Sequence, residues 1–239
     1  MKHFDLLEGR HHISKYSDKV PPKELVEKAL WKAWKTTPSK NNAMPYKVFV
    51  FGPKQKMEKV KVWKMVYDNH IDAEKRAVER GDADKTESGE PNPFYEHIKF
   101  NPYLFCIHAQ PREPNEFYQE RVEMGMFFDQ AWPERIEKFI DTTALEVGMF
   151  VQNLSTYLLE EKIDVSYTSC FFRNPEKWRL VGLDHAEYRP IMLITCGYGE
   201  LYRKDNLKKF PKQDLSKGET VDKTGEDIKP KYSEMIKWI

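Results

Sequence analysis

Four side chains that donate hydrogen bonds lie within residues 10–14, namely Arg10, His11, His12 and Ser14. In an extended or turning segment, several of them can converge on one anion. Arginine is the side chain best suited to forked contacts with phosphate oxygens. The segment therefore predicts a phosphate-binding site, although a polar N-terminal stretch that lies in solvent has the same composition.

A second polar segment, residues 38–46 (PSKNNAMPY), leads directly into an apolar run. Its backbone and amide groups can hydrogen-bond a flat heterocycle at the mouth of a strand. An ordinary turn between a helix and a strand explains the same residues, so both interpretations stand at this point.

Other kinds of reactive site have no support in the sequence. It contains no GxSxG elbow, no Walker loop, no GxGxxG after a strand and no HExxH pair. The three cysteines, Cys106, Cys170 and Cys196, are too few and too scattered for a disulfide framework or a zinc cluster. We therefore predict no metal site and expect thiols of a reducing compartment, the cytoplasm.

The charges are nearly balanced, with 39 Lys+Arg against 38 Asp+Glu and a net charge of +1. A protein that binds the phosphate backbone of nucleic acid would carry an excess of positive charge, so we expect no nucleic-acid partner. No run approaches the roughly 18 apolar residues of a membrane span. The N-terminal MKHFDLLEGRHH also lacks the apolar core of a secretory signal.

Hydrophobic periodicity predicts the elements that must position these residues. Helices are predicted at 22–35, 141–161 and 175–183, with one or two more in 54–80, and strands at 46–51, 104–109, 165–169 and 191–196. We expect Asp141 or Thr142 to cap the helix over 141–161. Helices and strands mix without a regular β-α-β alternation, which favours an α+β fold over a doubly wound sheet.

Three segments do not fit this pattern. Residues 81–93 are polar and contain two Gly and two Pro, so we expect a loop excursion within one domain rather than a linker. Residues 113–132 are rich in aromatic residues and Met, which suits either a helix packed on the core or a lid over a pocket. After Leu201 the chain is basic and has few apolar residues before the final MIKWI, too few to fold alone.

The N-terminal part of the chain contains three consecutive features: RHHISKY, the helix predicted over 22–35, and TPSKNNAMPYKVFV. Together they resemble the N-terminal signature of the FMN-dependent nitroreductase family. The later part of the chain resembles the family's C-terminal half. It contains the helix with Gly148, followed by the segments DVSYTSCF, EKWRLVGL and HAEYRPIMLITCGYG. The resemblance covers roughly residues 4–211. It implies a nitroreductase-like α+β domain over residues 1–211, with a central, mainly antiparallel sheet flanked by helices. It also implies a homodimer in which a C-terminal arm, residues 212–239, wraps the partner subunit.

The resemblance also implies which residues bind FMN. Arg10, His11, His12 and Ser14 match the segment that holds the phosphate and ribityl chain, and Lys208 and Lys209 match basic residues that complete the phosphate site. Pro38, Ser39, Lys40, Asn41 and Asn42 match a loop that the partner contributes near the flavin ring. Tyr167, Thr168, Ser169 and Cys170 match the strand end where a backbone N–H faces flavin N5. Asn69 matches an Asn at the pyrimidine edge.

The sequence departs from the family pattern at several of these positions. Ser14 stands where the family often has Arg or Lys, and Cys170 stands where Gly often allows close backbone approach. Met44 and Tyr46 replace the usual Gln and Trp. These departures suggest a divergent member with its own substrate range.

The resemblance implies an FMN-dependent oxidoreductase that takes hydride from NAD(P)H. Flat acceptors such as nitroaromatics or quinones would then be reduced in a ping-pong reaction without a catalytic side chain. An aromatic lid of Phe117, Tyr118, Phe127 and Phe128 would set the size of the acceptor. Two alternatives stay open: another flavin chemistry on the same fold, such as reductive dehalogenation or flavin breakdown, and a non-catalytic flavin-binding protein.

Overall fold

The computed structural model describes residues 12–81, 96–110, 140–183 and 189–202, together with Leu6, Arg10, Glu116, Glu120 and residues 123–125. The strands of this part are β1 (Ile13–Tyr16), β2 (Tyr46–Phe51), β3 (Tyr103–Ala109), β4 (Asp164–Thr168), β5 (Pro190–Gly197) and β6 (Gly199–Tyr202). The helices are α1 (Lys23–Thr36), α2 (Lys56–Glu79), α3 (Glu96–Lys99), α4 (Ile140–Glu160) and α5 (Pro175–Arg179), and Lys40–Asn42 forms a 3-10 turn.

Four strands form an antiparallel sheet in the order β2-β3-β5-β4. Every residue of the central strand β3 is buried. Its odd-numbered residues Phe105 and Ile107 pack in one cluster, and its even-numbered residues Leu104 and Cys106 pack in another. Because successive side chains of a strand point to opposite faces, both faces of this sheet are covered. The prediction of an α+β fold is confirmed.

Helices form the two layers that cover the sheet. On the face of Phe105 and Ile107, α1 and α4 contribute most of the helical core: Val26, Ala29, Ala33, Val147, Phe150, Leu154 and Leu158. On the face of Leu104 and Cys106, α2 and the region of α5 contribute Val62, Met65, Val66, Trp178 and Val181. The apolar stripes read from the sequence of α1 and α4 therefore face the sheet.

The strands β1 and β6 form a separate antiparallel pair, which the sequence did not predict. A hydroxyl anchors this pair to the sheet, since Tyr16 Oη donates to Thr195 O at 2.9 Å and lies 3.0 Å from Thr195 Oγ1. Burial raises the pKa of Tyr16 well above its ordinary value. The segment that begins with Arg10 is thereby fixed along the edge of the sheet near β4.

The predicted first and last residues agree closely with the structure for most helices and strands and differ at a few ends. The strand over residues 46–51 is confirmed, and residues 56–79 form a single helix. The cap predicted at Asp141 or Thr142 is wrong, because α4 includes both residues. The helix predicted over 175–183 ends at Arg179, and Gly182 has a φ of +86°, which a helix cannot continue through.

Several predicted features lie outside the described residues. They are most of the loop over 81–93, most of the segment 113–132 with its proposed lid residues Phe117, Tyr118, Phe127 and Phe128, and the arm over 212–239. Within the described part of the chain, no helix has the length and apolar character needed to span a bilayer.

Candidate functional site

The basic N-terminal segment lies against β4. The guanidinium carbon of Arg10 is 5.1 Å from the centroid of the Tyr167 ring, a cation–π distance. His12 Nδ1 is 2.8 Å from Ser166 Oγ, a hydrogen bond between residues 154 positions apart in sequence. The two segments that the sequence associated with one ligand therefore meet in the fold.

His12 has a second neighbour that the sequence did not indicate. The ring of His97, on α3, contacts the His12 ring edge-on at a centroid distance of 5.2 Å. His97 is 1% exposed, so this contact is made from the interior. His12 is half-buried between His97 and Ser166, which orients its imidazole before any ligand binds.

The backbone that follows β4 is held at the start of β5. Arg173 donates from Nη1 to Pro190 O at 3.0 Å and from Nη2 to Ser169 O at 3.4 Å. Partial burial is the larger cause that lowers the pKa of Arg173, and repulsion from the Arg189 charge is the second. This end of β4 thus carries several cationic groups, and Arg173 and Arg189 are residues that sequence reasoning missed.

The strand end contains the backbone groups expected near a flavin ring. Tyr167 and Thr168 are half-buried, whereas Ser169 and Cys170 are exposed. The Cys170 N–H donates to Thr168 Oγ1 at 3.2 Å. This bond is longer than most, so an acceptor presented by a ligand can compete for the same N–H.

The polar loop over residues 38–42 is attached to α4. Ser39 Oγ donates to Glu146 Oε2 at 2.7 Å, and the Lys40 N–H donates to Glu146 Oε1 at 3.2 Å. Ser39 Oγ also accepts from the Met44 N–H at 2.9 Å. The side chain of Ser39 therefore shapes the loop, and Asn42, which is exposed with a φ of 52°, remains for contacts with a ligand.

Glu146 is the residue that makes this loop shape possible, and its role invites a test. Replacing Glu146 by Gln keeps the size but removes the charge, so the bonds to Ser39 and Lys40 become weaker. We expect the free energy of unfolding to fall by about 1 kcal/mol in urea titrations. Glu123→Gln, at an exposed position outside the loop, serves as the control. Equal effects of the two variants would contradict the anchoring role.

The remaining candidate residues differ in how much of each the structure describes. Asn69 lies in α2, half-buried, and its side chain makes no hydrogen bond with any described residue. The backbones of Ser14 and Asn41 lie in β1 and in the 3-10 turn, with side chains outside the description. His11, Lys208 and Lys209 lie outside the described residues. Pro38 lines a groove of about 860 Å³ together with α4 residues that include Leu145 and Met149.

Comparisons with known proteins give this arrangement a family. The model of the nitroreductase family matches residues 7–198, so the chain belongs to that family. No curated protein matches the chain.

Solved structures share the fold at identities too low to transfer function. A BluB-like flavoprotein from Clostridium difficile 630 is 17% identical with a TM-score of 0.60, over 100% of this chain and 99% of that one. Iodotyrosine deiodinase bound to FMN and 3-iodo-L-tyrosine is 16% identical with a TM-score of 0.58, over 84% and 92%. A Staphylococcus epidermidis protein provisionally named an NAD(P)H:FMN oxidoreductase is 14% identical with a TM-score of 0.57, over 84% and 88%.

The described residues suit the phosphate end of FMN. A phosphate needs cationic or N–H donors that are already held in place. Arg10 is positioned on Tyr167, and His12 is positioned by Ser166 and His97. Their chemistry and their common position beside β4 are what such a ligand requires.

Proposed function

We propose that this protein is an FMN-dependent oxidoreductase that oxidises NAD(P)H and reduces nitroaromatics, quinones or similar flat acceptors in a ping-pong reaction. The observation that carries the proposal is the meeting of Arg10 and His12 with β4, at Tyr167 and Ser166. Membership of the nitroreductase family supports it. The chain's three cysteines are all free thiols, which suits a cytoplasmic location.

The residues of the chain have binding and electrostatic roles in this proposal. FMN, when bound, supplies the hydride and electron chemistry. Arg10 binds the phosphate through its planar guanidinium, and His12 adds a second donor. The Cys170 N–H, which donates to Thr168 Oγ1 in the free protein, donates instead to an acceptor on the bound ligand. Arg173 and Arg189 favour negative charge at this end of the sheet.

The absorption spectrum of the purified protein tests cofactor and reductant together. We expect a flavin spectrum, at least after reconstitution with FMN, and anaerobic bleaching on addition of NADPH or NADH. Steady-state oxidation of NAD(P)H by a nitroaromatic or quinone then tests the acceptor. A protein that stays colourless after reconstitution would exclude the proposal.

A second candidate is another flavin chemistry on the same fold. The specific observation that favours it is the likeness to iodotyrosine deiodinase and to a BluB-like flavoprotein. Reductive dehalogenation would release iodide from 3-iodotyrosine under reducing conditions. Flavin breakdown would instead consume FMN during turnover, while the proposed reductase recovers it unchanged. Bound FMN without any NAD(P)H-dependent reduction would indicate a flavin-binding protein that is not an enzyme.

The proposal includes a homodimer formed along α4. Leu145 and Met149 are 67% and 40% exposed and line the groove beside Pro38. A second subunit on this face would bury them next to the loop over residues 38–42, the loop that the family resemblance assigns to the partner's flavin site. The arm over residues 212–239 would add contacts, so its deletion should weaken the dimer.

A charge at the centre of this face should separate the subunits. We expect Leu145→Asp to weaken the dimer at least about 100-fold, because it removes an apolar contact and buries an unpaired carboxylate. Leu180→Asp is the matched control, since Leu180 is 75% exposed and lies outside the groove. Sedimentation equilibrium gives both dissociation constants. A dimer equally strong in the two variants would place the interface elsewhere.

A further inference from the structure

A second pocket lies at the other end of the sheet from Arg10 and the end of β4. It has a volume of about 540 Å³, within the range of small-molecule sites. Its walls come from the residues that follow β1, from the first turns of α2 and from the segment between α3 and β3. Pro102 lines it and lies beside Gly197, the last residue of β5. Gly197 pairs with Asp164 at the start of β4, whereas Thr168 at the end of β4 pairs with Leu193. No step of the proposed flavin reaction uses this pocket.

Lysines give the pocket its charge. Lys59 is 3% exposed, and its Nζ donates to Asn101 O at 2.5 Å and to Pro102 O at 3.1 Å. Among the described residues, no carboxylate lies within ion-pair distance of this ammonium. A buried charge without a counter-charge is unfavourable.

The neighbours of Lys59 increase this imbalance. Lys56, one turn earlier in α2, and Lys99, at the end of α3, also line the pocket. The pKa of Lys59 is lowered from its ordinary value to about 8, mainly by burial and to a smaller extent by repulsion from the Lys56 charge. Among the described residues that line the pocket, Asp18 is the one carboxylate, against three lysines. An anion in the pocket would supply the missing negative charge.

The other lining groups suit a ligand with an aromatic ring and hydroxyls. Phe100 is 58% exposed, and the Lys99 ammonium lies 4.9 Å from the centroid of its ring, which leaves the opposite face of the ring for stacking. The carboxylate of Asp18 is an acceptor for ligand hydroxyls.

We propose that this pocket binds a nucleoside monophosphate, with the phosphate between Lys56 and Lys59 and the base against Phe100. Asp18 then accepts hydrogen bonds from the sugar hydroxyls. The site is distinct from the proposed flavin site and does not depend on that assignment.

Binding of AMP to the full-length protein tests the proposal. Isothermal titrations with AMP, adenosine and inorganic phosphate are made in the presence and in the absence of saturating FMN, so that AMP binding at a flavin site is recognised. We expect AMP to bind more tightly than either fragment, whether or not FMN is bound. A failure to bind FMN would contradict the proposed reductase, but the AMP titrations could still be interpreted, because they do not require FMN.

Two variants assign the parts of the ligand to residues. Lys56→Met should weaken AMP binding about tenfold, because it removes one charge-assisted hydrogen bond. Lys61→Met, an exposed position on another face of α2, is the matched control and should leave AMP binding unchanged. Phe100→Leu should weaken AMP binding about fivefold or more and leave phosphate binding unchanged, because it removes stacking alone. Lys59 itself is not the first choice, since its removal leaves two buried carbonyls without a donor.

Three results would overturn the proposal. The first is the absence of saturable AMP binding at millimolar concentrations. The second is equal AMP affinity in Lys56→Met and Lys61→Met. The third is inorganic phosphate binding as tightly as AMP, which would leave no role for the ring of Phe100.

Discussion

Replacing Arg10 by Met is expected to weaken FMN binding by about 10- to 100-fold, since a hydrogen bond to a charged group contributes about 1.5–3 kcal/mol. The side chain is half-buried on the Tyr167 ring, so the guanidinium is held near β4 before the ligand arrives. Met keeps much of the apolar contact with Tyr167 and removes the charge and the donors. Quenching of FMN fluorescence on titration with protein gives the dissociation constants.

Two further variants make this result specific. Arg10→Lys keeps the charge but loses the planar fork, so it should fall between wild type and Arg10→Met. Lys15→Met removes a positive charge from the same segment, at an exposed residue that pairs with Glu200. It should leave FMN affinity nearly unchanged. If Lys15→Met weakened binding as much as Arg10→Met, the effect would be one of net charge and not of a phosphate contact.

Replacing Gly197 by Ala is expected to lower the free energy of unfolding by about 3 kcal/mol, the upper part of the range for overpacking. A Cβ at this position would lie 2.6 Å from Pro102 Cδ and 2.9 Å from Tyr16 Cδ1. Both neighbours are rigid rings, and Tyr16 is 3% exposed. The strain falls where the β1–β6 pair meets the sheet. Urea denaturation monitored by tryptophan fluorescence measures it.

Gly52→Ala is the control for this prediction. A Cβ there would lie 3.3 Å from Gln55 Oε1, the end of a flexible side chain that can move aside. We therefore expect a change of less than about 0.5 kcal/mol. If Gly197→Ala were as mild as Gly52→Ala, the approach of β5 to Pro102 and Tyr16 would be looser than the structure shows.

Some elements could be predicted because their signals are local. The strand over residues 46–51 and the long helix α4 were both read from periodicity, which depends only on neighbours within a few residues. The β1–β6 pair could not be predicted in this way. Its two strands have four residues each and pair Ile13 with Tyr202, so neither is recognisable without the other. The end of the helix at Arg179 was misjudged because apolar residues continue beyond it to Leu183.

The same distinction applies to the candidate site. The sequence indicated the donors of residues 10–14 and the strand end at 167–170, and it identified the chemistry that those residue types support. It did not indicate Ser166, His97 or Arg173 as neighbours, since each is a common residue in an unremarkable local context. It also did not indicate that Glu146 holds Ser39 and the backbone of Lys40.

By itself, the sequence determined the α+β class, the positions of the main helices and strands, and the family to which the chain belongs. These follow from patterns within single segments and from the order of those segments along the chain. Only the tertiary structure decided that Arg10 lies on Tyr167, that His12 bonds Ser166 and that Lys59 faces a pocket with Lys99. Such contacts join residues far apart in sequence, and the pairing of strands and the packing of helices on the sheet bring them together.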